Sequence, residues 1–214
     1  MSRLDDVQRV LNRGIVAIIR APSGEQLVGV AKALYEGGID VIEVTLTVPN
    51  AIEIIRQVHQ ELGDKVLLGA GSVLDTETAR SAILAGAEFI VSPTVNPAVI
   101  QMCQRYDKAV MPGAFTPTEV LTAWEAGADI VKVFPADIGG PPHLKALHGP
   151  LPQIPLMPTG GVNLETLESF VAAGACAVGL GSALVEKQAA LDGDFDRIRS
   201  LAEAYVQAMA DARA

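Results

Sequence analysis

The sequence predicts a (β/α)₈ TIM barrel with an N-terminal helix, formed as a single domain over residues 1–214. Short runs of apolar and β-branched residues alternate with amphipathic helical segments, a pattern typical of a parallel sheet covered by helices. Helical segments end in glycine just before such runs at Gly38, Gly86, Gly127 and Gly174, a spacing of about two βα units. Eight strands are expected, at 14–20, 41–46, 66–71, 89–92, 109–112, 130–134, 156–159 and 177–181.

The segments between these runs predict the helices. Residues 2–13 form an amphipathic N-terminal helix, with Leu4, Val7 and Leu11 on one face. The Gly- and Pro-rich segment 137–142 is expected to be a connection. An open doubly wound sheet is the alternative fold, and it is less favoured because no Gly-x-Gly-x-x-Gly fingerprint follows the first strand. Further helices are expected at 25–36, 50–62, 76–85, 118–126 and 195–210.

Composition limits the classes of partner. The formal net charge of -9 argues against a nucleic-acid binder, which needs a basic surface for phosphate backbones. The sequence contains no stretch long enough to span a membrane, and residues 2–13 lack the apolar core of a signal peptide. Cys103 and Cys176 have no metal-type spacing and suit a reducing compartment. We therefore expect a cytoplasmic protein that acts on a small molecule.

One charged residue lies inside each of two predicted strands. Lys132 interrupts the run DIVKVFP at 129–135, and Glu43 interrupts DVIEVTL at 40–46. An unpaired charge in such a strand is costly, and these strands, the second and the sixth, place side chains in the same interior layer of a barrel. A buried lysine favours the neutral amine that attacks carbonyls, while a carboxylate beside it transfers protons. We predict a catalytic pair; a buried ion pair without chemistry is the alternative.

Two glycine-rich turns follow the last two predicted strands. They are PTGGVN at 158–163 and GLGSAL at 179–184. Turns at these places build the phosphate site of many barrels from backbone N–H groups, so Gly160, Gly161, Gly181 and Ser182 are predicted to bind phosphate. Plain connecting turns are the alternative.

Six segments together resemble the motif set of the 2-dehydro-3-deoxy-phosphogluconate aldolases, a bifunctional family that also cleaves 4-hydroxy-2-oxoglutarate. The segments are EVTL at 43–46, GAGSVL at 69–74, SP at 92–93, MPG at 111–113, KVFPA at 132–136 and PTGGV at 158–162. The resemblance covers nearly the whole chain. It implies a class I aldolase in which Lys132 forms a Schiff base with pyruvate and Glu43 is the general acid and base. It also implies that Ser72 contacts the substrate, that Pro93 and Phe134 shape the pocket, and that the protein is a homotrimer.

The chain departs from the family pattern at one position. The gluconate-specific members have an arginine after Glu-Val-Thr-Leu that binds the pyruvate carboxylate, whereas this chain has Thr47. Some members, including galactonate-type relatives, instead have an arginine at the end of the first strand, where this chain has Arg20. We predict that Arg20 binds the carboxylate through a bidentate contact, with a surface arginine as the alternative. Thr47 and Thr159 complete the substrate-binding candidates.

The predicted reaction is cleavage of 2-dehydro-3-deoxy-6-phosphogluconate to pyruvate and glyceraldehyde 3-phosphate, with 4-hydroxy-2-oxoglutarate as a second candidate substrate. No His, Asp and Glu cluster has metal-site spacing, so neither a metal nor an organic cofactor is expected. The alternatives are a 2-dehydro-3-deoxy-6-phosphogalactonate aldolase, a phosphate-binding barrel isomerase that forms no covalent adduct, and a ligand-binding barrel without catalysis.

Overall fold

The computed structural model of the protein describes residues 2–20 and 24–214, with the side chains of residues 24 and 25 outside that description. Within these residues the chain alternates nine parallel strands with ten α-helices. The strands are β1 (Ile15–Ile19), β2 (Val41–Thr45), β3 (Leu67–Gly71), β4 (Phe89–Val91), β5 (Ala109–Met111), β6 (Gly113–Ala114), β7 (Val131–Val133), β8 (Leu156–Pro158) and β9 (Val178–Leu180). The helices are α1 (Arg3–Arg13), α2 (Gly24–Glu36), α3 (Ala51–Leu62), α4 (Thr76–Leu84), α5 (Pro97–Arg105), α6 (Pro117–Glu125), α7 (Ala136–His148), α8 (Leu167–Ala172), α9 (Lys187–Asp192) and α10 (Phe195–Arg213).

The strands form two parallel sheets. One has six strands in the order β5-β4-β3-β2-β1-β9, and the other has three in the order β6-β7-β8. Two isolated parallel bridges, Leu156 with Ala175 and Thr159 with Gly179, join the region of β8 to that of β9. Every residue of β1, β2 and β3 is buried. Continuous burial is expected of parallel strands that have helices on one side and a core on the other.

Nine strands are observed where the sequence predicted eight. The additional strand arises at Pro112, which separates β5 from β6. Proline has no N–H to donate to a strand ladder, so regular pairing stops there. The carbonyl of Pro112 still accepts a hydrogen bond from the backbone N–H of Lys132 at 2.9 Å. Lys132 consequently lies on β7, the seventh strand along the chain, rather than on the predicted sixth.

The N-terminal helix covers one end of the strands. Ser2 caps α1 through a capping box with Asp5, so the helix begins at Arg3, one residue after the predicted start. Arg9 of α1 donates to the carbonyl of Lys65, two residues before β3, and to Asp40, which directly precedes β2. The apolar side chains of this helix pack on a buried cluster from the strands, which includes Val16, Val41, Leu67, Phe89 and Met157. The helix therefore closes the amino end of the strands and leaves their carboxyl ends for a site.

The segment 137–142 was expected to be a connection, and that expectation is wrong. It belongs to α7, which is kinked at Gly140, where φ is 61° and ψ is -167°. Pro141 and Pro142 follow the kink, and proline is well tolerated in the first turn of the helix that restarts there. No helix in the part of the chain that the structure describes is long and apolar enough to cross a membrane.

Candidate active site

Glu43 lies in the middle of β2, inside the protein. It is paired in register with Ile18 of β1 and Gly69 of β3, and only 2% of its surface is exposed. Its Oε2 atom is buried and has no hydrogen-bond partner. Burial raises the pKa of Glu43, and the positive charges of Lys132 and Arg20 oppose that rise. A carboxyl group in this state both accepts and returns a proton readily, as a general acid and base must.

Lys132 lies between Val131 and Val133 on β7 and is 7% exposed. Burial lowers the pKa of its ammonium, the Glu43 carboxylate opposes this, and Arg20 lowers the pKa further. The Nζ atom lies 4.9 Å from the centroid of the Phe134 ring, within the range of a cation–π contact. A lowered pKa increases the fraction of neutral amine near neutral pH, which is the nucleophilic form.

The two side chains are coupled electrostatically, as the sequence predicted for an interior pair. Each changes the pKa of the other, Glu43 upward for Lys132 and Lys132 downward for Glu43. Among the hydrogen bonds and ion pairs of the described residues, none joins them directly. The lysine is therefore near a compensating charge without being committed to an ion pair, and its amine can react with a third group.

A cavity of about 230 Å³ lies at the carboxyl ends of β1, β8 and β9. A neighbouring cavity of about 440 Å³ shares Arg20, Gly181 and Ser182 with it and adds Thr47. Neither Lys132 nor Glu43 is among the described residues of these walls, but Phe134, which lies against Lys132 Nζ, is. The structure thus brings together seven predicted site residues in the first cavity: Arg20, Phe134, Thr159, Gly160, Gly161, Gly181 and Ser182.

The glycine turns expose backbone in this cavity. Gly160 and Gly161 have φ values of 98° and 71°, in the left-handed region that favours glycine. A Cβ atom on Gly161 would also lie 2.6 Å from Cβ of Asp137, so glycine is needed there for packing as well. Gly181 is different, because a Cβ atom on it would meet nothing within 4 Å. The neighbouring Thr159 hydroxyl is buried and has no hydrogen-bond partner, which leaves it available to a ligand.

Arg20 directly follows β1, and its side chain lies in the walls of both cavities. It also lowers the pKa of both Glu43 and Lys132, which places its charge near the pair. An arginine at this position can bind an anion that is simultaneously close to the reactive amine.

A row of hydroxyl groups lies where β2 and β3 end. Thr45 Oγ1 is 2.7 Å from Thr47 Oγ1 and 3.2 Å from Ser72 Oγ. Ser72 has a φ of 62°, a left-handed backbone that is uncommon for serine. Thr45 was not predicted as a site residue, because threonine is an ordinary strand residue. Its spacing of two from Glu43, which places both side chains on the same side of β2, could have identified it.

Pro93 lies apart from the other predicted residues. Pro93 is not among the described residues that line the two cavities. It is half-buried after β4, and its backbone is so close to Gly113 that a Cβ atom there would lie 2.5 Å from the Pro93 carbonyl. Its contribution to a pocket remains a prediction.

The fold and the site define a parallel α/β protein in which a buried lysine and a buried glutamate lie beside a cavity walled by glycine turns. Residues 7–201 match the family model described as KDPG and KHG aldolase. The chain therefore belongs to this aldolase family, and it is a lyase of the aldolase type.

Individual relatives agree with this assignment. The chain is 38% identical to the 2-dehydro-3-deoxy-phosphogluconate aldolase of Treponema pallidum, over 90% of this chain and 92% of the relative. It is 33% identical to the 2-dehydro-3-deoxy-6-phosphogalactonate aldolase of Escherichia coli, over 91% of this chain and 96% of that protein. Among solved structures, the KDPG aldolase of Legionella pneumophila, with pyruvate captured as a covalent carbinolamine, superposes with a TM-score of 0.87. That protein is 30% identical, over 93% of this chain and 97% of its own.

Proposed function

We propose that this protein is a class I, metal-independent aldolase that cleaves 2-dehydro-3-deoxy-6-phosphogluconate to pyruvate and glyceraldehyde 3-phosphate through a Schiff base on Lys132. The observation that carries the proposal is the state of Lys132: it is buried, its pKa is lowered, and Glu43 is near without forming an ion pair with it. The covalent carbinolamine named for the Legionella pneumophila relative is the adduct that such an amine forms with pyruvate.

In the proposed mechanism, Lys132 and Glu43 act one after the other. The neutral amine of Lys132 attacks the C2 carbonyl, and Glu43 protonates the resulting carbinolamine hydroxyl so that water leaves and an iminium forms. Glu43, through a water molecule, then removes the proton of the C4 hydroxyl. The electrons of the C3–C4 bond move into the iminium, which gives an enamine and releases the aldehyde. Protonation of the enamine at C3 and hydrolysis return pyruvate and the free amine.

We assign the carboxylate of the substrate to Arg20 and Ser72. Arg20 lies close enough to the pair to lower the pKa of Lys132, so an anion held by its guanidinium is near the reacting carbonyl. Arg20 also lines the glycine-rich cavity, which supports phosphate as a second candidate ligand. Pyruvate alone separates these two roles, because it carries the carboxylate and no phosphate.

We assign the phosphate of the substrate to Gly160, Gly161, Gly181 and Ser182, with the free hydroxyl of Thr159 beside them. Gly181 supports this assignment, because the protein itself does not need glycine for space at this position. A Gly181→Ala variant should fold normally yet bind phosphorylated substrate more weakly, since the methyl group would occupy the space of the ligand. The test is its apparent Michaelis constant for phosphorylated substrate against its half-saturating pyruvate concentration. Equal values to the parent protein in both would remove Gly181 from the phosphate site.

We also propose that the two sheets form one closed (β/α)₈ barrel and that residues 1–214 are a single domain. The bridges between Leu156 and Ala175 and between Thr159 and Gly179 support closure on one side. On the other side, β5 and β6 would be one strand of this barrel, interrupted at Pro112.

The assembly is proposed to be a homotrimer, as the family resemblance implies. Large apolar side chains lie exposed on this protomer and would suit a subunit contact, among them Leu74, Leu84 and Ile138. Sedimentation equilibrium tests this proposal, because a mass equal to one chain would contradict it.

Substrate choice has a second candidate. The Escherichia coli relative is named a 2-dehydro-3-deoxy-6-phosphogalactonate aldolase, and Thr47 stands in this chain where the gluconate-type arginine is expected. The test is pyruvate release from the gluconate- and galactonate-derived C4 epimers and from 4-hydroxy-2-oxoglutarate, with and without a metal chelator. We expect the highest kcat/KM with the gluconate epimer and no loss on chelation. Faster galactonate cleavage would select the second candidate, and absence of pyruvate from all three would favour a non-covalent isomerase.

A further inference from the structure

Three hydroxyl groups form a continuous chain at the carboxyl end of β2 and β3. Thr45 Oγ1 is the central atom, with Thr47 Oγ1 at 2.7 Å and Ser72 Oγ at 3.2 Å. The three differ in exposure: Thr45 is fully buried, Ser72 is half-buried and Thr47 is exposed. The chain of hydroxyls thus runs from the protein surface, through its interior, to the residue that follows β3.

The number of protons limits how these groups can be arranged. Thr45 Oγ1 also accepts a hydrogen bond from the backbone N–H of Thr47 at 3.3 Å. This oxygen therefore has three hydrogen-bond neighbours, one backbone N–H and two hydroxyls. Each hydroxyl has one proton to donate, and the two links use two of the three. If Thr47 donates to Thr45 and Thr45 donates to Ser72, the free proton is on Ser72. If the direction is reversed, the free proton is on Thr47.

The partner assigned to Ser72 under the proposed function is the carboxylate of the substrate. Ser72 follows Gly71, which lies beside the Glu43 carboxylate and is paired in register with Thr45. Its backbone is in the left-handed region, with a φ of 62°, where a glycine would be less strained. The hydroxyl of Ser72 is what a glycine could not supply. A negative ligand at Ser72 would favour the direction of donation that places the free proton there.

We propose that Thr45 is a positioning residue that orients the Ser72 hydroxyl toward the carboxylate of the 2-oxo acid, with Thr47 as the outer donor of the relay. This inference rests on the proposed Schiff-base function and adds Thr45 to the residues that govern binding of the pyruvate half. Thr45 does not touch the substrate; it acts by accepting from Thr47 and donating to Ser72. Each hydrogen bond in the chain strengthens the next, because a donor that also accepts is more polarised.

The experiment measures the rate of the pyruvate adduct, trapped with borohydride, as a function of pyruvate concentration. Thr45→Val keeps the shape and removes the hydroxyl, and Thr45→Ser restores the hydroxyl. We expect Thr45→Val to raise the half-saturating pyruvate concentration about 3- to 10-fold, which corresponds to the free energy of one hydrogen bond. The limiting rate should change little. Thr45→Ser should be close to the parent protein. A simple packing role would show the opposite order, because valine fills the site better than serine.

A double-mutant cycle tests whether Thr45 acts through Ser72. In a Ser72→Ala background, Thr45→Val should cause no further rise, whereas independent effects would multiply. Thr47→Val, at the exposed end of the chain of hydroxyls, provides a variant that leaves the core intact. It should raise the half-saturating concentration by about 2- to 5-fold, which is within the free energy of a single hydrogen bond. This rise should occur only when Ser72 is present.

The outcomes separate the two proposals. An adduct in the parent protein, together with multiplicative effects or with an unchanged Thr45→Val variant, would overturn the relay and leave the Schiff-base function standing. Absence of an adduct in the parent protein would overturn both. Non-additive effects with rescue by serine are the result that the relay requires.

Discussion

A Cβ atom on Gly71 would lie 1.6 Å from Oε1 of Glu43. Glu43 is in the middle of β2 and Gly71 ends β3, so the carboxylate leans along its strand toward the carboxyl end and lies against bare backbone. Gly71 is not among the described glycines with a positive φ. Glycine is therefore required there by the lack of space and not by the backbone conformation. The observed position of the Glu43 carboxylate therefore depends on glycine at residue 71.

Gly71→Ala should disable the site without touching any group that reacts. The added methyl group cannot coexist with the observed Glu43 carboxylate, which must rotate away from its position beside Lys132. Turnover should fall by at least about 100-fold, the lower end of what loss of a general base costs. Steady-state kinetics and the unfolding midpoint are the measurements, with Gly149→Ala as the control. Gly149 is exposed, has an ordinary helical φ of -52° and would meet neighbours only at ordinary contact distance. A fully active Gly71→Ala variant would show that the carboxylate need not be where the structure has it.

Glu43→Gln should retain the shape of the side chain and lose its capacity to exchange protons. We expect turnover to fall by about 100-fold to 10,000-fold, the usual range for a removed general acid or base. Glu125→Gln is the matched control, because Glu125 is exposed on α6 and away from the cavity. Full turnover in Glu43→Gln would reject its acid and base role.

Arg20→Ala should weaken binding of the pyruvate half. A charge-assisted hydrogen bond is worth about 1.5–3 kcal/mol, so the half-saturating pyruvate concentration should rise about 10- to 150-fold. Arg56→Ala, which removes an exposed arginine paired with Glu53 on α3, is the control. Adding Thr47→Arg to Arg20→Ala should restore part of the affinity, since both positions line the same cavity.

The alternatives for Arg20 give different kinetics. If pyruvate binding is unchanged while the Michaelis constant for phosphorylated substrate rises, Arg20 binds the phosphate. If neither changes, it is only a surface arginine, and the carboxylate is held by hydroxyls and backbone groups.

The same arginine should contribute to the pH dependence of the adduct, although burial is the larger cause of the lowered pKa of Lys132. Arg20 lowers the pKa of Lys132, so its removal raises that pKa. The neutral amine appears as the pH rises through the pKa, and the acid-side inflection of the limiting adduct rate should therefore move to higher pH in Arg20→Ala. Arg20→Lys retains the charge and should keep the inflection of the parent protein. A move to lower pH would contradict the electrostatic relationship between these groups.

The burial of the two charged strand residues was predicted from the sequence, and the number of strands was not. Lys132 and Glu43 were identified because a charge in a strand with apolar neighbours on both sides is costly, and both are indeed buried. Each of the eight predicted strands overlaps an observed one, but the break at Pro112 was not predicted. The residues 109–114 look like a short strand and a turn, and only their pairing on both sides of Pro112 shows that strand geometry resumes.

Two other features were not predicted from the sequence. The segment 137–142 was expected to be a connection because it is rich in glycine and proline, whereas in the structure α7 bends at Gly140 and the prolines start its next turn. The spacing of Thr45 from Glu43 places it on the same side of β2, but its contact with Ser72 exists only once β2 and β3 are side by side.

The most direct test of the central claim is the intact mass of the protein after incubation with pyruvate and borohydride. The parent protein should gain one reduced pyruvate adduct, and peptide mapping should place it on Lys132. Lys132→Ala should gain none while keeping its fold, because it loses a buried charge, and Lys145→Ala, which removes an exposed lysine of α7, should be labelled like the parent protein. A persistent adduct in Lys132→Ala, or labelling that disappears in Lys145→Ala instead, would contradict the assignment of Lys132 as the nucleophile.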